Sequence, residues 1–469
     1  GVAIHAPSAR EGSELRKINI RRRVSGGGCL GHSTLDLFMS ALVIRLRQVP
    51  WHLVDGALRR IGSHLSDAMQ NFTIAYSARN THDCPNTVEL DLTNKSDGEH
   101  MMQNPGRFLF SITVLTLMAF GLFGSKYPAI AQSDPDVVNR SKTMVPSPPW
   151  PQGDQVGMAN TLGVGIWMRC AAHLTNLKSK SYEISHFRSS SMPGSPFGVP
   201  LKYKYLPTSS VSFSKHASNG EQIESGEPAA QGTQMDAMEH FAYMEEMWKG
   251  KGDIPVDTAR YYGGYKQQDV KPTANSPLLK LGVENVPPIV TSAVLLDAKS
   301  HLGGGKAMTP GQTVTTKDIE AMIKKQGLGW RGLLPGDVLY IHTGWSDHWQ
   351  DPDTKKTYYT KGPGLSYDAA QYLRKKAVVL VALDNPFTDP VFDGQLVGKH
   401  GPPEGTPPGL PFAIHHENLA VSGILQIQNA NLAKLVQDKV WTSCTMILPL
   451  RSKGGSGSPV RPVAIGAPG

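Results

Sequence analysis

The chain of 469 residues is long enough for two or three domains and for one large hydrophobic core. Its net charge of +8 overstates the basic character of the main part, because residues 132–469 carry 33 Lys+Arg against 29 Asp+Glu, a net charge of +4. The sequence has no basic stripe with interleaved aromatic residues, which argues against a nucleic-acid-binding protein. The four cysteines lack CxxC spacing, so a zinc knuckle or a thioredoxin-like dithiol is not expected. Cys170 and Cys444 would pair in an oxidising compartment, although two separate buried thiols are the simpler expectation.

Residues 101–131 have the three parts of a secretory signal peptide. Arg107 stands in a short polar lead, an uninterrupted apolar run covers residues 108–124, and the sequence AIA ends at Ala131. Cleavage after Ala131 would export the mature chain to the periplasm. An uncleaved segment with this apolar run would instead anchor the protein in the membrane.

The residues before the signal peptide show no sustained hydrophobic period of 3.6 or 2.0 residues. Because a signal peptide works at an N-terminus, residues 1–100 are interpreted as a non-native stretch from a start site placed too early, or as a disordered extension. Residues 132–153, rich in Pro, Ser and Asp, are expected to form an extended lead. Residues 154–469 are then the folded domain.

The mature chain alternates strand-like runs with helices, which predicts a mixed α/β domain. Runs rich in Val, Ile and Leu predict strands buried on both faces; they cover 287–298, 336–345, 377–385 and 442–450. A helix is expected over 315–327, with Thr316 as N-cap and Gly327 as its stop, and a second over 366–377, capped by Ser366. The Pro- and Gly-rich residues 398–411 predict an irregular loop.

Two segments about 180 residues apart contain the side chains best suited to bind a metal or transfer protons. The first, GTQMDAMEHF (232–241), has Asp236 and His240 at i, i+4, which share a face if the segment is helical. The second, 414–429, contains His416. A carboxylate and imidazoles with an open position for water commonly hold a metal that generates hydroxide near neutral pH. From spacing alone, a solvated helix start and a structural Asp–His hydrogen bond remain alternatives.

The chain from about residue 154 to residue 465 resembles the putative cyclase family, which includes bacterial kynurenine formamidase and isatin hydrolase. Four segments carry the similarity: HENLAVSGILQIQNANLAKL, LPLRSKGGSGSPVRPVAI, GDVLYIHTGWSDHW and VALDNPF. The resemblance implies a swivelling β/β/α fold, in which helices flank a mixed sheet. It also implies an amidohydrolase-type site on a homodimer or homotetramer.

The family's metal motif, H-x-G-T-H-x-D-x-x-x-H, is altered in this chain. Its first two histidines fall on Ala230 and Gln234, whereas its Asp and last His are retained as Asp236 and His240. The loss of two imidazoles removes part of the expected ligand set. The resemblance therefore implies weaker metal binding than in members with the full motif.

A later segment supplies the family with a further His and a Glu, which fall on His416 and Gln428. With three ligand positions changed, at most one divalent metal is expected, Mn or Zn, and the protein could also hold none. A Gln carbonyl oxygen is a hard neutral donor that suits Mn better than tight zinc binding. The predicted ligands are Asp236, His416, Gln234 and Gln428.

The resemblance also assigns roles to other side chains. His240 corresponds to the acid–base group beside the metal-bound water. His342 and Trp345 are candidates to face the substrate, with a surface or core position as the alternative. His415 and Glu417 are candidates to orient the neighbouring metal-binding histidine, or are ordinary loop residues.

The resulting hypothesis is an exported, metal-dependent hydrolase of an amide, cyclic amide or lactone, similar in reaction class to arylformamidase. Its partner is a small-molecule carbonyl substrate, and contact with a membrane is expected only through an uncleaved signal segment. The alternative is a family member that has lost hydrolysis and binds a small molecule in the periplasm. Gln428 separates the two hypotheses, because a Glu at this position should strengthen metal binding only if a weakened metal site exists.

Overall fold

A computed structural model describes residues 2–4, 17–22, 72–76, 87–94, 135–227, 232–252 and 254–469. The chain divides into two compact units, Gly1–Gly124 and Ser125–Gly469. The predicted signal peptide and Ala230 lie outside the described residues, and the predicted domain boundaries stay predictions. The extended lead expected over 132–153 is wrong in part, because Pro135–Lys142 forms a helix. Within the described ranges, no helix is both long and apolar enough to cross a membrane.

The first unit contains a four-stranded antiparallel sheet. Its strands are Val2–Ile4, Lys17–Arg22, Phe72–Tyr76 and Thr87–Asn94.

A nine-stranded mixed sheet forms the centre of the second unit. In chain order, its strands are β1 Lys180–Glu183, β2 Gln234–Asp236, β3 Ile289–Asp297, β4 Val338–His342, β5 Leu380–Leu383, β6 Leu425–Gln428, β7 Thr442–Ile447, β8 Gly457–Pro459 and β9 Val463–Gly466. Their order across the sheet is β8-β2-β6-β5-β4-β3-β7-β9-β1. The four central strands, β3 to β6, run parallel to one another, and the strands on either side pair antiparallel.

Helices and short turns surround this sheet. The α-helices are α1 Pro135–Lys142, α2 Val164–Leu174, α3 Gln267–Val270, α4 Ala298–His301, α5 Thr316–Lys325, α6 Tyr367–Lys375, α7 Ala413–His415 and α8 Ala433–Gln437. A π-helix, His416–Ser422, continues α7. Single 3-10 turns cover Gly157–Thr161, Met238–His240, Tyr262–Gly264, Val283–Asn285, Trp345–His348, Tyr358–Thr360 and Gln395–Val397.

Three two-stranded ribbons complete the second unit. They pair Lys202–Tyr205 with Glu221–Ser225, Ser209–Ser210 with Ala217–Ser218, and Thr313–Val314 with Gly364–Leu365.

The predicted α/β architecture and its buried strands are confirmed. Each of the four apolar runs contains a strand of the central sheet, namely β3, β4, β5 and β7. Every residue of β4 and β5 is buried, so other parts of the chain cover both faces of these strands. The predicted loop 398–411 contains neither helix nor strand.

The two longer predicted helices are also present, with one correction at a cap. Ser366 caps α6 by accepting a hydrogen bond from the backbone of Ala369, as predicted. The cap of α5 is Thr315, one residue before the predicted Thr316, and it forms a reciprocal capping box with Asp318. The sequence TTKD offers two adjacent threonines, but only Thr315 stands three residues before an acidic residue that can complete the box.

The cysteines of this unit contradict the expectation of two separate thiols. Cys170 in α2 and Cys444 in β7 form a disulfide. Both side chains are buried, with exposed fractions of 2% and 0%. The bond therefore fastens a covering helix to the central sheet across a sequence separation of 274 residues.

Candidate functional site

The two segments singled out by the sequence lie side by side as antiparallel strands β2 and β6. Gln234 pairs with Gln428, and Asp236 pairs with Gln426. The segment 232–241 is therefore not a helix start: it is a buried strand followed by the 3-10 turn Met238–His240. This turn, rather than an i, i+4 helical spacing, brings His240 back towards Asp236.

Three side chains converge at the end of β2. Asp236, His240 and His415 each offer one potential ligand atom, and these atoms all lie within 4.8 Å of one another. Asp236 and His415 are buried, whereas His240 is half-buried. His415 Nε2 lies 3.6 Å from Asp236 Oδ2. A carboxylate and two imidazoles thus form a compact cluster with one member near the surface.

The histidine that the second segment contributes to this cluster is His415, whereas the sequence predicted His416 as the ligand. The ring of His416 packs edge-on against Tyr243 at a centroid distance of 5.3 Å, and it is not part of the Asp236 cluster in the described structure. Consecutive helical residues point about 100° apart. Of two adjacent histidines at the junction of α7 and the π-helix, only one can therefore face β2.

Asp389 positions His415 from the other side of the ring. It accepts a very short hydrogen bond from His415 Nδ1, and its second oxygen accepts from the backbone N–H of Ile414 at 2.6 Å. Burial alone would lower the pKa of His415, but the carboxylates of Asp389 and Asp236 outweigh it and raise the pKa to about 9. Asp389 was not recognised in the sequence, where FTDP looks like an ordinary turn.

Three glutamine amides surround the Asp236 carboxylate. Gln428 and Gln426 donate to Oδ2 at 2.9 and 3.1 Å, and Gln234 donates to Oδ1 at 3.4 Å. Burial would raise the pKa of Asp236, but the adjacent His240 and His415 reverse this and hold it below its usual value. Gln426 was not predicted as a site residue, because its pairing with Asp236 depends on strand register.

The arrangement fits one divalent metal ion. In the neutral form of His415, the hydrogen bond from Nδ1 to Asp389 leaves the Nε2 lone pair directed towards Asp236, as in many metal-binding histidines. Gln234 Oε1 is buried and has no hydrogen-bond partner within the described residues. Such an orphaned acceptor commonly marks an ion or water that completes the site. Asp236, His415 and this carbonyl oxygen supply a ligand set for a single ion, with His240 beside it.

The predicted substrate-facing residues, His342 and Trp345, are not members of the Asp236 cluster. His342 Nδ1 is 3.2 Å from Asp297 Oδ1 and its Nε2 is 3.7 Å from Asp384 Oδ2, with only 3% of the residue exposed. Burial would lower the pKa of His342, but the two carboxylates raise it above its usual value. Trp345, 2% exposed, donates from Nε1 to the carbonyl of Tyr358. Trp345 belongs to the same apolar cluster as Phe387, against which Phe412 packs, and a substrate-facing role for either His342 or Trp345 stays a prediction.

Glu417 also differs from its predicted role. Its carboxylate accepts hydrogen bonds from Ser422 and Tyr367 and forms an ion pair with Arg374 at 3.2 Å. These contacts join the π-helix to α6. Glu417 thus secures the backbone that carries the two histidines, rather than orienting an imidazole directly.

Phenylalanine rings form one wall of the site. Phe241 and Phe412 lie 5.1 and 5.9 Å from the His415 ring, measured between centroids. Phe387 and Phe197 extend the wall, each about 6 Å from Phe412. Since Phe197 is 61% exposed, the wall reaches from the buried imidazole to the surface.

Comparisons with known proteins agree with this architecture. The family model described as putative cyclase matches residues 158–390, which include Asp236 and His240. A solved structure described as a novel cyclase has 24% identity and a TM-score of 0.54, covering 67% of this chain and 95% of its own. No curated protein matches the chain.

Two further solved structures are more distant. Isatin hydrolase A from Ralstonia solanacearum has 19% identity and a TM-score of 0.42, covering 63% of this chain and 95% of its own. A predicted metal-dependent hydrolase from Bacillus stearothermophilus has 17% identity and a TM-score of 0.34, covering 61% and 98%. The match to the putative cyclase model spans strands β1 to β5, and the chain shares its fold with the solved cyclase, in agreement with the resemblance seen in the sequence.

Proposed function

We propose that the protein is a hydrolase that opens an amide, cyclic amide or lactone with the help of one divalent metal ion. The observation that carries the proposal is the convergence of Asp236, His240 and His415 within 4.8 Å. Asp236 and His415, together with the unpartnered carbonyl oxygen of Gln234, would hold the ion. When bound, a divalent ion polarises a carbonyl group and makes a water molecule more acidic.

His240 is the proton carrier in this proposal. Its ring is half-buried at the open side of the cluster, whereas Asp236 and His415 are enclosed. An imidazole at this position can take a proton from an attacking water and return it to the leaving nitrogen or oxygen. The Asp236 carboxylate lies beside His240 and would face the positive charge that the ring carries between these two steps.

The phenylalanine wall supports a substrate with a flat or apolar portion. Phe241 and Phe412 would exclude water from one side of the reacting carbonyl and strengthen electrostatic interactions there. Amide and lactone substrates with an attached ring would fit this wall better than a charged acyclic amide.

A second candidate function rests on the glutamine amides. Because three amides already satisfy the Asp236 carboxylate, the site is internally bonded without a metal. This observation favours a protein that binds a small carbonyl compound without hydrolysing it.

Export to the periplasm and assembly into dimers or tetramers remain part of the proposal. The Cys170–Cys444 disulfide supports export, because such bonds persist mainly in oxidising compartments. Cleavage after Ala131 would place the N-terminus of the exported protein at Gln132.

Metal analysis of the purified protein tests the hydrolase proposal. We expect about one Mn or Zn per chain after reconstitution of chelator-treated protein, and hydrolysis of at least one compound in a panel of formamides, cyclic amides and lactones. His240→Ala should retain the metal and lose hydrolysis. Absence of metal from the wild-type protein after soaking in Mn and Zn would refute the metal-dependent hydrolase and leave the binding protein.

A further inference from the structure

Metal binding requires the neutral form of His415, and in that form the lone pair of Nε2 already accepts a hydrogen bond. Since Nδ1 bonds to Asp389, Nε2 provides the only remaining lone pair of the neutral ring. The amide nitrogen of Gln428 lies 2.9 Å from Nε2, the distance of a hydrogen bond. A metal ion and this amide N–H cannot share one lone pair, so they compete for His415.

The same amide nitrogen also bonds to the second metal-binding atom. It donates to Asp236 Oδ2 at 2.9 Å, and the Oδ2–Nε2 separation is 3.6 Å. An ion bound about 2.0–2.2 Å from each of these atoms would fit between them. The Gln428 amide therefore bridges the pair of atoms that an ion would bridge.

We propose that Gln428 acts as an internal substitute for the metal and thereby controls metal affinity and selectivity at the site. Without metal, its amide nitrogen ties Asp236 to His415 and keeps the site assembled. A divalent ion binds only when the amide leaves the His415 lone pair, and a half-turn about its last side-chain bond then presents Oε1 to the ion. This inference rests on the proposed metal site and adds Gln428 as the residue whose side-chain orientation determines whether the ion can bind.

The side-chain amide of Gln234 allows the half-turn of the Gln428 amide. Gln428 Oε1 accepts from Gln234 Nε2 at 3.2 Å, while Gln234 Oε1 has no partner in the described part of the chain. Ion binding would give that orphaned oxygen a positive partner. Two neutral carbonyl oxygens beside one carboxylate form a hard ligand set, which favours Mn over Zn relative to sites rich in imidazole.

The experiment compares wild-type protein with Gln428→Glu. We measure Mn and Zn affinity by competition with a chelating indicator, and the melting temperature of the metal-free protein in EDTA. Replacing the amide removes the donor between Asp236 and His415 and places a second carboxylate beside the first. We expect a lower melting temperature without metal and metal binding that is tighter by about 10- to 100-fold.

Gln426→Glu is the matched control. Gln426 donates to the same oxygen of Asp236 at 3.1 Å, and in the described part of the chain its other side-chain hydrogen bonds are with Thr388 and Asn418 rather than with His415. It should lower the metal-free melting temperature without a comparable gain in affinity. Equal gains in the two variants would overturn the inference, because added charge rather than release of the His415 lone pair would then explain them.

Two other outcomes separate this inference from the proposed function. If wild type binds Mn and Gln428→Glu binds it no more tightly, Gln428 does not compete with the metal, although the metal site stands. If neither protein takes up metal, both the metal site and the role of Gln428 are wrong.

Discussion

The adjacent residues His415 and His416 differ sharply in their surroundings, and this difference yields a prediction. His415 is buried between Asp236 and Asp389, whereas His416 packs against Tyr243 outside the cluster. His415→Ala should abolish metal uptake and lower stability by about 3 kcal/mol or more, because it leaves two buried carboxylates without their partner. Metal content and urea denaturation measure the two effects.

His416→Ala is the internal control for that experiment. It should change metal content little, since its ring has no contact with Asp236 in the described structure. His415→Asn, which keeps a donor towards Asp389, serves as a second variant if the alanine protein fails to fold. If His416→Ala loses the metal and His415→Asn retains it, then His416 rather than His415 is the ligand.

Glu239 makes stability depend on pH. Its side chain is 4% exposed, and neither carboxylate oxygen has a hydrogen-bond partner in the described ranges. Burial, aided by the charges of Glu284 and Asp236, raises the pKa of Glu239 to about 9. The folded protein therefore keeps this proton near neutral pH while the unfolded chain releases it. Stability from this group is lost as pH rises from the ordinary Glu range towards 9.

Glu239→Gln should remove this loss. The amide has nearly the same shape and no proton to release, so we expect the variant to be more stable than wild type by at least about 1 kcal/mol at pH 8 and little different at pH 4. Thermal unfolding of both proteins from pH 4 to pH 8 measures this difference in stability. The exposed Glu246→Gln should show no such change. A destabilised Glu239→Gln at pH 8 would mean that the carboxylate is ionised and bound to a cation.

At the scale of single elements, the cap of α5 can be tested with a pair of neighbouring threonines. Thr315 Oγ1 accepts from the backbone of Asp318 at 3.2 Å, and Asp318 accepts from the Thr315 N–H at 3.0 Å. Thr315→Ala should therefore cost about 1 kcal/mol in urea denaturation. Thr316→Ala, whose side chain does not cap the helix, should cost less than about 0.5 kcal/mol. A larger loss of stability for Thr316→Ala than for Thr315→Ala would show that Thr316 caps the helix, as the sequence predicted.

Elements were predictable where a local pattern determines them. The apolar runs that became β3, β4 and β5 contain enough Val, Ile and Leu to require burial on both faces, whatever the rest of the chain does. Ser366 likewise caps α6 through contacts within one helical turn. These features depend on neighbours in sequence, which the sequence itself displays.

The site was predictable only in part, because strand register and helix rotation determine it. Asp236 and His240 stand in a recognisable motif, but Gln426 enters the site only because it pairs with Asp236 across two strands. The choice of His415 over His416 depends on how α7 is rotated towards the sheet. Asp389 joins through a loop contact across 26 residues. Such relations arise from tertiary packing, which no local pattern records.

For the whole molecule, the Cys170–Cys444 bond links the helical layer to the central sheet. The two cysteines enclose most of the folded unit, since 274 residues separate them. Cross-linking so long a loop reduces the entropy of the unfolded chain more than a short loop would. The disulfide is therefore expected to stabilise this unit as a whole rather than one element of it.

Replacing both cysteines tests this contribution and the oxidising environment that it implies. Cys170→Ala with Cys444→Ala should lower the free energy of unfolding by about 2–5 kcal/mol relative to oxidised wild type. Reduced wild type should fall close to the double variant, because both lack the same covalent link. Mass spectrometry of the oxidised wild-type protein, digested without reductant, should find the peptide that joins Cys170 to Cys444. Equal stability of the oxidised, reduced and substituted proteins would show that native packing alone holds α2 on the sheet.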